Sequence, residues 1–288
     1  MRSLILAGFI KRLIPRRFRS SAVEIPVVRL QGMIMDSSSP LRQTLSLGSC
    51  ATVLEKAFGE KDAPAVALSI NSPGGSPVQS RLIYRRIRDL AEENNKKVLV
   101  FVEDVAASGG YMIACSGDEI FADPSSIVGS IGVVSSSFGF PELLKKIGVE
   151  RRVYTAGKNK VSLDPFQPEK KADIDHLKKL QLEIHDTFIT MVKNSRDKKL
   201  ADDETLFTGM FWTGTKAKEL GLVDELGDIR SVIKKRYGQD AKLNLIAPSK
   251  GFLGRKTPSG VSASFVTSAI DGALNAAEER SLWQRYGL

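Results

Sequence analysis

The chain has 288 residues, 42% of them hydrophobic and 26% charged. That composition suits one sizeable globular core and excludes a fibrous, disordered or repeat architecture. The net charge of +9 is unevenly placed: residues 1–20 hold Arg2, Lys11, Arg12, Arg16, Arg17 and Arg19 and no acid, leaving the rest near balance. A basic arm on a balanced body argues against nucleic acid as partner, and the two cysteines, Cys50 and Cys115, form neither a disulfide framework nor a zinc pattern.

The first 21 residues alternate apolar and basic side chains, and Leu4, Ile5, Phe9, Leu13 and Ile14 share one side of a helix. The apolar run is too short to span a bilayer, and no cleavage pattern follows it. It reads equally as an arm lying in a membrane interface and as a loose basic arm. Residues 25–31 (IPVVRLQ) predict a first strand, 36–48 a loop and 50–58 a helix. Residues 65–70 (AVALSI) predict a strand that runs into NSPGG, followed by an amphipathic helix over 77–94. A buried-type strand over 97–102 leads to a helix from Gly109. Short strands are expected at 119–122 and 151–155, a long helix at 169–197, helices at 216–221 and 229–237, and a late strand at 243–246. Apolar strands alternating with amphipathic helices predict an α/β fold with a mainly parallel sheet. The pattern breaks at a Pro/Gly/Ser-rich linker, 248–264, and Phe265, Ile270, Leu274 and Trp283 then mark a helix over 265–288. One catalytic domain, 22–247, is expected, with an arm (1–21) before it and the linker and helix after it.

Three segments carry candidate chemistry. The NSPGG turn (71–75) ends a strand, and paired glycines let backbone N–H groups approach a developing oxyanion; a plain tight turn is the alternative. AASGGY (106–111) places Ser108 at the start of a helix, either as a nucleophile or simply as the helix N-cap. TAGKNKVSLDPF (155–166) supplies Lys158 and Lys160. A lysine that acts as a base must be neutral, which burial favours. The two histidines, His176 and His185, lie in the charged helix 169–197 and are read as surface or packing residues. A Ser–His–Asp triad is therefore disfavoured and a Ser–Lys pair is the available alternative.

The set INSPGG (70–75), VAASGGYMIA (105–114), VGSIGVV (128–134), YTAGKNKVSLDPF (154–166) and FTGMFWTGTKAKELGLVDELG (207–227) resembles, in order, the signal peptide peptidase A family. This is the SppA/SohB group of serine proteases within the ClpP/crotonase superfamily. The resemblance implies a ClpP/crotonase-like fold of repeated β-β-α units, with Ser108 as nucleophile and Lys160 as general base. It further implies Gly75 and Gly109 as oxyanion donors and Ser130 as the residue that orients the lysine amine. No metal, nucleotide or other cofactor is implied. The implied partners are peptides, including signal-peptide remnants, and further copies of the chain in a ring-like oligomer. The implied setting is bacterial, cytoplasmic or peripheral to the inner membrane. Family members commonly carry an N-terminal anchor, where this chain has only the short basic arm. Two other functions stay in view: an acyl-CoA enzyme on the same fold, against which the set Ser108, Ser130 and Lys160 argues, and an inactive scaffold of membrane complexes.

Overall fold

The computed structural model describes residues 22–36, 44–247 and 280–288. The expected basic arm, the linker and most of the 265–288 helix lie outside the described residues.

Among the described residues, eight strands form one sheet in the order β6-β5-β3-β2-β1-β8, with β4 paired to β3 and β7 paired in turn to β4. The strands are β1 (Glu24–Gln31), β2 (Ala65–Ser72), β3 (Lys97–Ala107), β4 (Glu119–Ala122), β5 (Ile127–Gly129), β6 (Phe211–Thr213), β7 (Glu225–Leu226) and β8 (Lys242–Leu245). All pairings are parallel except β5 with β6. The helices are α1 (Leu47–Phe58), α2 (Pro77–Glu93), α3 (Gly109–Ala114), α4 (Pro141–Lys146), α5 (Lys171–Arg196), α6 (Gly214–Glu219) and α7 (Ile229–Tyr237). This is the mainly parallel α/β architecture expected of the sequence. Among the described residues, no helix is long and apolar enough to cross a membrane.

Alternation along β2 explains the core. Val66, Leu68 and Ile70 join a large cluster with Leu54, Ile83 and Ile113 on the helix-covered face. Ala65 and Ala67 point the other way, into a smaller cluster with Phe101, Phe121 and Ile233. Both faces are apolar because successive side chains of a strand alternate and this sheet is covered on both sides. Each fully buried aliphatic side chain contributes about 1.5–3 kcal/mol. Local caps fix the helix starts: Ser46 with Ser49 forms a capping box on α1, and Ser76 followed by Pro77 opens α2.

The long strand β3 positions the site. Its first half pairs with β4, Leu99 to Val102 against Glu119 to Ala122. Its second half pairs with β5, Val105 to Ala107 against Ile127 to Gly129. The strand therefore continues past the expected end at 102 to Ala107, carrying Ser108 to the sheet's carboxyl edge.

The expected strand at 151–155 is not formed. Tyr154 is 90% exposed and no neighbouring strand among the described residues offers that segment a ladder, so its alternation has nothing to pair with. From Gly132 to Thr187 no residue is buried. This arm carries α4 and the first half of α5, and its own aromatic group, Phe138, Phe140 and Phe166, is capped by Arg151. Only the second half of α5 joins the core, through Phe188, Val192 and Arg196.

Candidate active site

Ser108 sits at the N-cap of α3 with φ 53° and ψ −121°. Non-glycine residues rarely enter positive φ, and holding one there costs about 1–3 kcal/mol. The constraint is the ladder: Ala107 pairs with Gly129, and the Ser108 N–H donates to the Gly129 carbonyl at 2.9 Å. Its hydroxyl makes no capping hydrogen bond. Thr213 and Asp228, by contrast, cap α6 and α7 through their side chains. A plain capping role for Ser108 is thus not what the structure displays.

The NSPGG loop packs directly against this serine. A Cβ placed on Gly74, whose φ is +105°, would stand 2.8 Å from the Ser108 Cβ and 3.0 Å from the Gly109 nitrogen. At Gly75, φ +141°, a Cβ would drive into the Ile34 carbonyl. That close approach is fixed by two hydrogen bonds, Ile34 N–H to Gly74 O at 2.8 Å and Ser76 N–H to Ile34 O at 2.7 Å. The N–H groups of Gly75 and Gly109 have no hydrogen-bond partner among the described residues. Gly109 opens α3, where the first N–H groups of any helix lack intrahelical acceptors.

Ser130 follows β5 and also has positive φ, 54°. Its N–H donates to the Met210 carbonyl at 2.7 Å, and its side chain is buried. The Ser130 hydroxyl accepts a hydrogen bond from the Tyr286 hydroxyl at 3.1 Å. One residue on, the Ile131 carbonyl accepts from His185 Nε2–H at 3.0 Å. His185 is thus a packing residue that ties α5 to the Ser130 turn.

The structure brings Ser108, Gly109, Gly75 and Ser130 together. It does not bring Lys160 to them within one protomer. Lys160 lies in a turn of the arm, its N–H donating to Gly157 O at 3.2 Å. Both Lys160 and Lys158 are exposed, and neither side chain has a partner among the described residues.

Beneath the site, Arg196 is wholly buried, its Nε donating to Gly221 O at 2.9 Å and its Nη1 to Asp224 at 2.8 Å. Asp224 also accepts from Lys199 at 2.7 Å and from the Ile120 N–H at 2.7 Å. Burial pushes the Asp224 carboxyl up, but these hydrogen bonds outweigh it and hold the group below the usual carboxylate range. Tyr111, on α3, donates to Leu222 O at 2.8 Å, joining the helix that follows Ser108 to the same segment. No sequence signal marks this group, because an arginine on a charged helix reads as solvated. Burial pushes the thiols of Cys50 and Cys115 up to about 12. Both therefore stay protonated and unreactive.

The family model described as Peptidase family S49 matches residues 91–244. The chain is 68% identical over 290 residues to the Na(+)/H(+) antiporter NhaA of Brucella abortus, covering 98% of this chain and 39% of that protein. It is 31% identical over 217 residues to the chloroplastic serine protease SPPA of Arabidopsis thaliana, covering 73% of this chain and 31% of that protein. The chain thus spans only about a third to two fifths of these two relatives. A solved structure, a serine-to-alanine mutant of the 1510-N membrane-bound stomatin-specific protease, aligns over 80% of this chain and all of its own, with TM-score 0.48 and 16% identity.

Proposed function

Because the chain belongs to peptidase family S49, we propose that it is a serine endopeptidase with Ser108 as nucleophile and Lys160 as general base. The observation that carries this reading is the convergence at Ser108. A serine held at positive φ, its hydroxyl free of any cap bond, faces a glycine loop next to two N–H groups that lack acceptors. Two such donors stabilise the oxyanion of acyl transfer, each being worth about 10²–10³ in rate.

In the proposed cycle the Ser108 Oγ attacks a peptide carbonyl while its proton passes to the Lys160 amine. The N–H groups of Gly75 and Gly109 hold the oxyanion. The amine then returns the proton to the leaving nitrogen as the C–N bond breaks, giving an acyl-enzyme. Water, deprotonated by the same amine, releases the acyl group. Extended peptides, signal-peptide remnants among them, are the substrate class, and the cycle needs no metal or nucleotide.

Lys160 has to reach the Ser130 hydroxyl for this, and a solvated ammonium is a poor base. The arm that bears it exposes Phe138, Leu143, Ile147, Val149 and Leu182. Packing this arm against a second copy of the chain would cover that apolar surface and bury the amine in one event. A homo-oligomer with shared sites follows as part of the proposal.

The test is Ser108→Ala together with a fluorophosphonate probe. The wild type should be labelled at Ser108 and turn over casein or a peptide ester, and the variant should do neither while melting at the same temperature. Undiminished turnover by the variant would sink the reading. A wild type that the probe fails to label would favour the acyl-CoA alternative, and one inert towards casein and peptide esters the scaffold.

A further inference from the structure

Among the described residues, segment 280–288 meets the sheet at the strand ends next to Ser130. Tyr286 is buried against Val105, Ala107 and Ile127, with Trp283 packed alongside. Its ring meets Phe211 edge-on, with centroids 5.0 Å apart and planes at 78°. These residues belong to β3, β5 and β6, the three strands that frame the serine. The Tyr286 hydroxyl completes the contact by donating to Ser130 Oγ at 3.1 Å. Of the rest of the segment, Leu282 is half-buried, and Arg280, Ser281, Gln284, Arg285, Gly287 and Leu288 are exposed.

We infer that segment 280–288 is a tethered plug of the active site, whose Tyr286 phenol occupies the Ser130 hydroxyl that the Lys160 amine requires. The inference rests on the roles proposed above for Ser130 and Lys160. Ser130 is 3% exposed with the plug in place, so an incoming side chain reaches its hydroxyl only by displacing what covers it. The phenol's hydrogen bond leaves the Ser130 O–H free to donate, so the competition is for the space beside the serine, where the Tyr286 side chain lies. The plug is anchored through one buried ring and a half-buried indole, which suits an occupant that must leave. A segment that served only to complete the core would bury more than a single side chain. The plug and the arm are therefore alternative ligands of one serine, and the dyad assembles only when the plug has gone. The chemistry of the pocket also defines what can replace the plug: a peptide presenting a tyrosine, with an aromatic residue one helical turn earlier.

The test compares the full chain with Trp283→Ala/Tyr286→Ala and with Tyr286→Phe. A fluorescein-labelled synthetic peptide of residues 280–288 serves as probe. The double variant should hydrolyse a small peptide ester with kcat/KM raised about tenfold, equivalent to about 1.4 kcal/mol. Unlabelled peptide should return it to the wild-type value. Tyr286→Phe should fall between, since the ring stays and the hydrogen bond goes. Fluorescence anisotropy should show the labelled peptide binding the double variant more tightly than the full chain. Equal or lower turnover in the double variant of a wild type that is itself active, loss of its fold by circular dichroism, or absence of peptide binding would each overturn the plug. Peptide binding needs no catalysis, so tight binding to a variant that never turns over ester would sustain the plug and refute the peptidase reading.

Discussion

Around Ser108 the backbone is packed until an added carbon no longer fits at Gly74 or Gly75, whereas from Gly132 to Thr187 no residue is buried at all. The first region is complete within one chain: strand ladders fix Ser108 and Ser130 at positive φ, and the glycine loop closes on them through Ile34. The second holds Lys160 on an arm with an apolar surface and no cover among the described residues. The contrast teaches that the two halves of the proposed dyad are regulated differently. On the proposed reading, the oxyanion side is set by folding and the base side by what packs on the arm.

The largest expected effect breaks the base side alone. Lys160→Ala and Lys160→Arg should be equally inactive, because a guanidinium stays charged at any usable pH. If the arm acts on a second copy, mixing inactive Ser108→Ala with inactive Lys160→Ala protein should restore measurable peptide turnover. Mixtures that stay inactive would mean that the amine reaches the serine of its own chain. Breaking the oxyanion side should cost somewhat less. Gly75→Ala keeps the N–H but its Cβ pushes the loop off Ile34, so kcat should fall by up to about 10²–10³, the loss for one misplaced donor, with an accompanying fall in Tm.

A third change weakens the platform beneath both. Asp224→Asn leaves Arg196 buried without a counter-charge and should destabilise the fold by about 3–5 kcal/mol in urea unfolding at neutral pH. The folded-state carboxyl of Asp224 lies below its unfolded value. Its contribution is therefore present above about pH 4 and lost as pH falls through the folded-state value. Wild-type Tm measured from about pH 6 down to about pH 3 should drop at the acid end, and Asp224→Asn should flatten that drop. The smallest effect sharpens the assignment of the base. Lys158→Ala should keep most activity, and an inactive Lys158 variant beside an active Lys160→Ala would move the base by two residues.

How much of this was legible in the sequence follows the same division. The continuous apolar run of β2 and the periodic helix α2 declare themselves because their burial pattern is repeated over many residues. The arrangement of the glycine loops around Ser108 was expected from the order of motifs, and the strand ends carry it. The short strands β5 and β6 were missed, since segments of that length have no period and each is held by a partner far along the chain. The expected strand at 151–155 failed for the opposite reason, having a period and no partner. Arg196 and Asp224 form a pair 28 residues apart, and Tyr286 meets Ser130 across 156 residues. Nothing local encodes either meeting.

Ser108 is also the last link of a short run of backbone contacts. Met210 O takes the Ser130 N–H, and Gly129, the residue before Ser130, takes the Ser108 N–H. Two hydrogen bonds and one peptide unit therefore join a half-exposed methionine on the rim to the backbone of the reacting residue. A displacement at Met210 or Phe211 is therefore passed along these bonds to the Ser108 backbone, and on the proposed mechanism to the angle at which its hydroxyl meets a carbonyl.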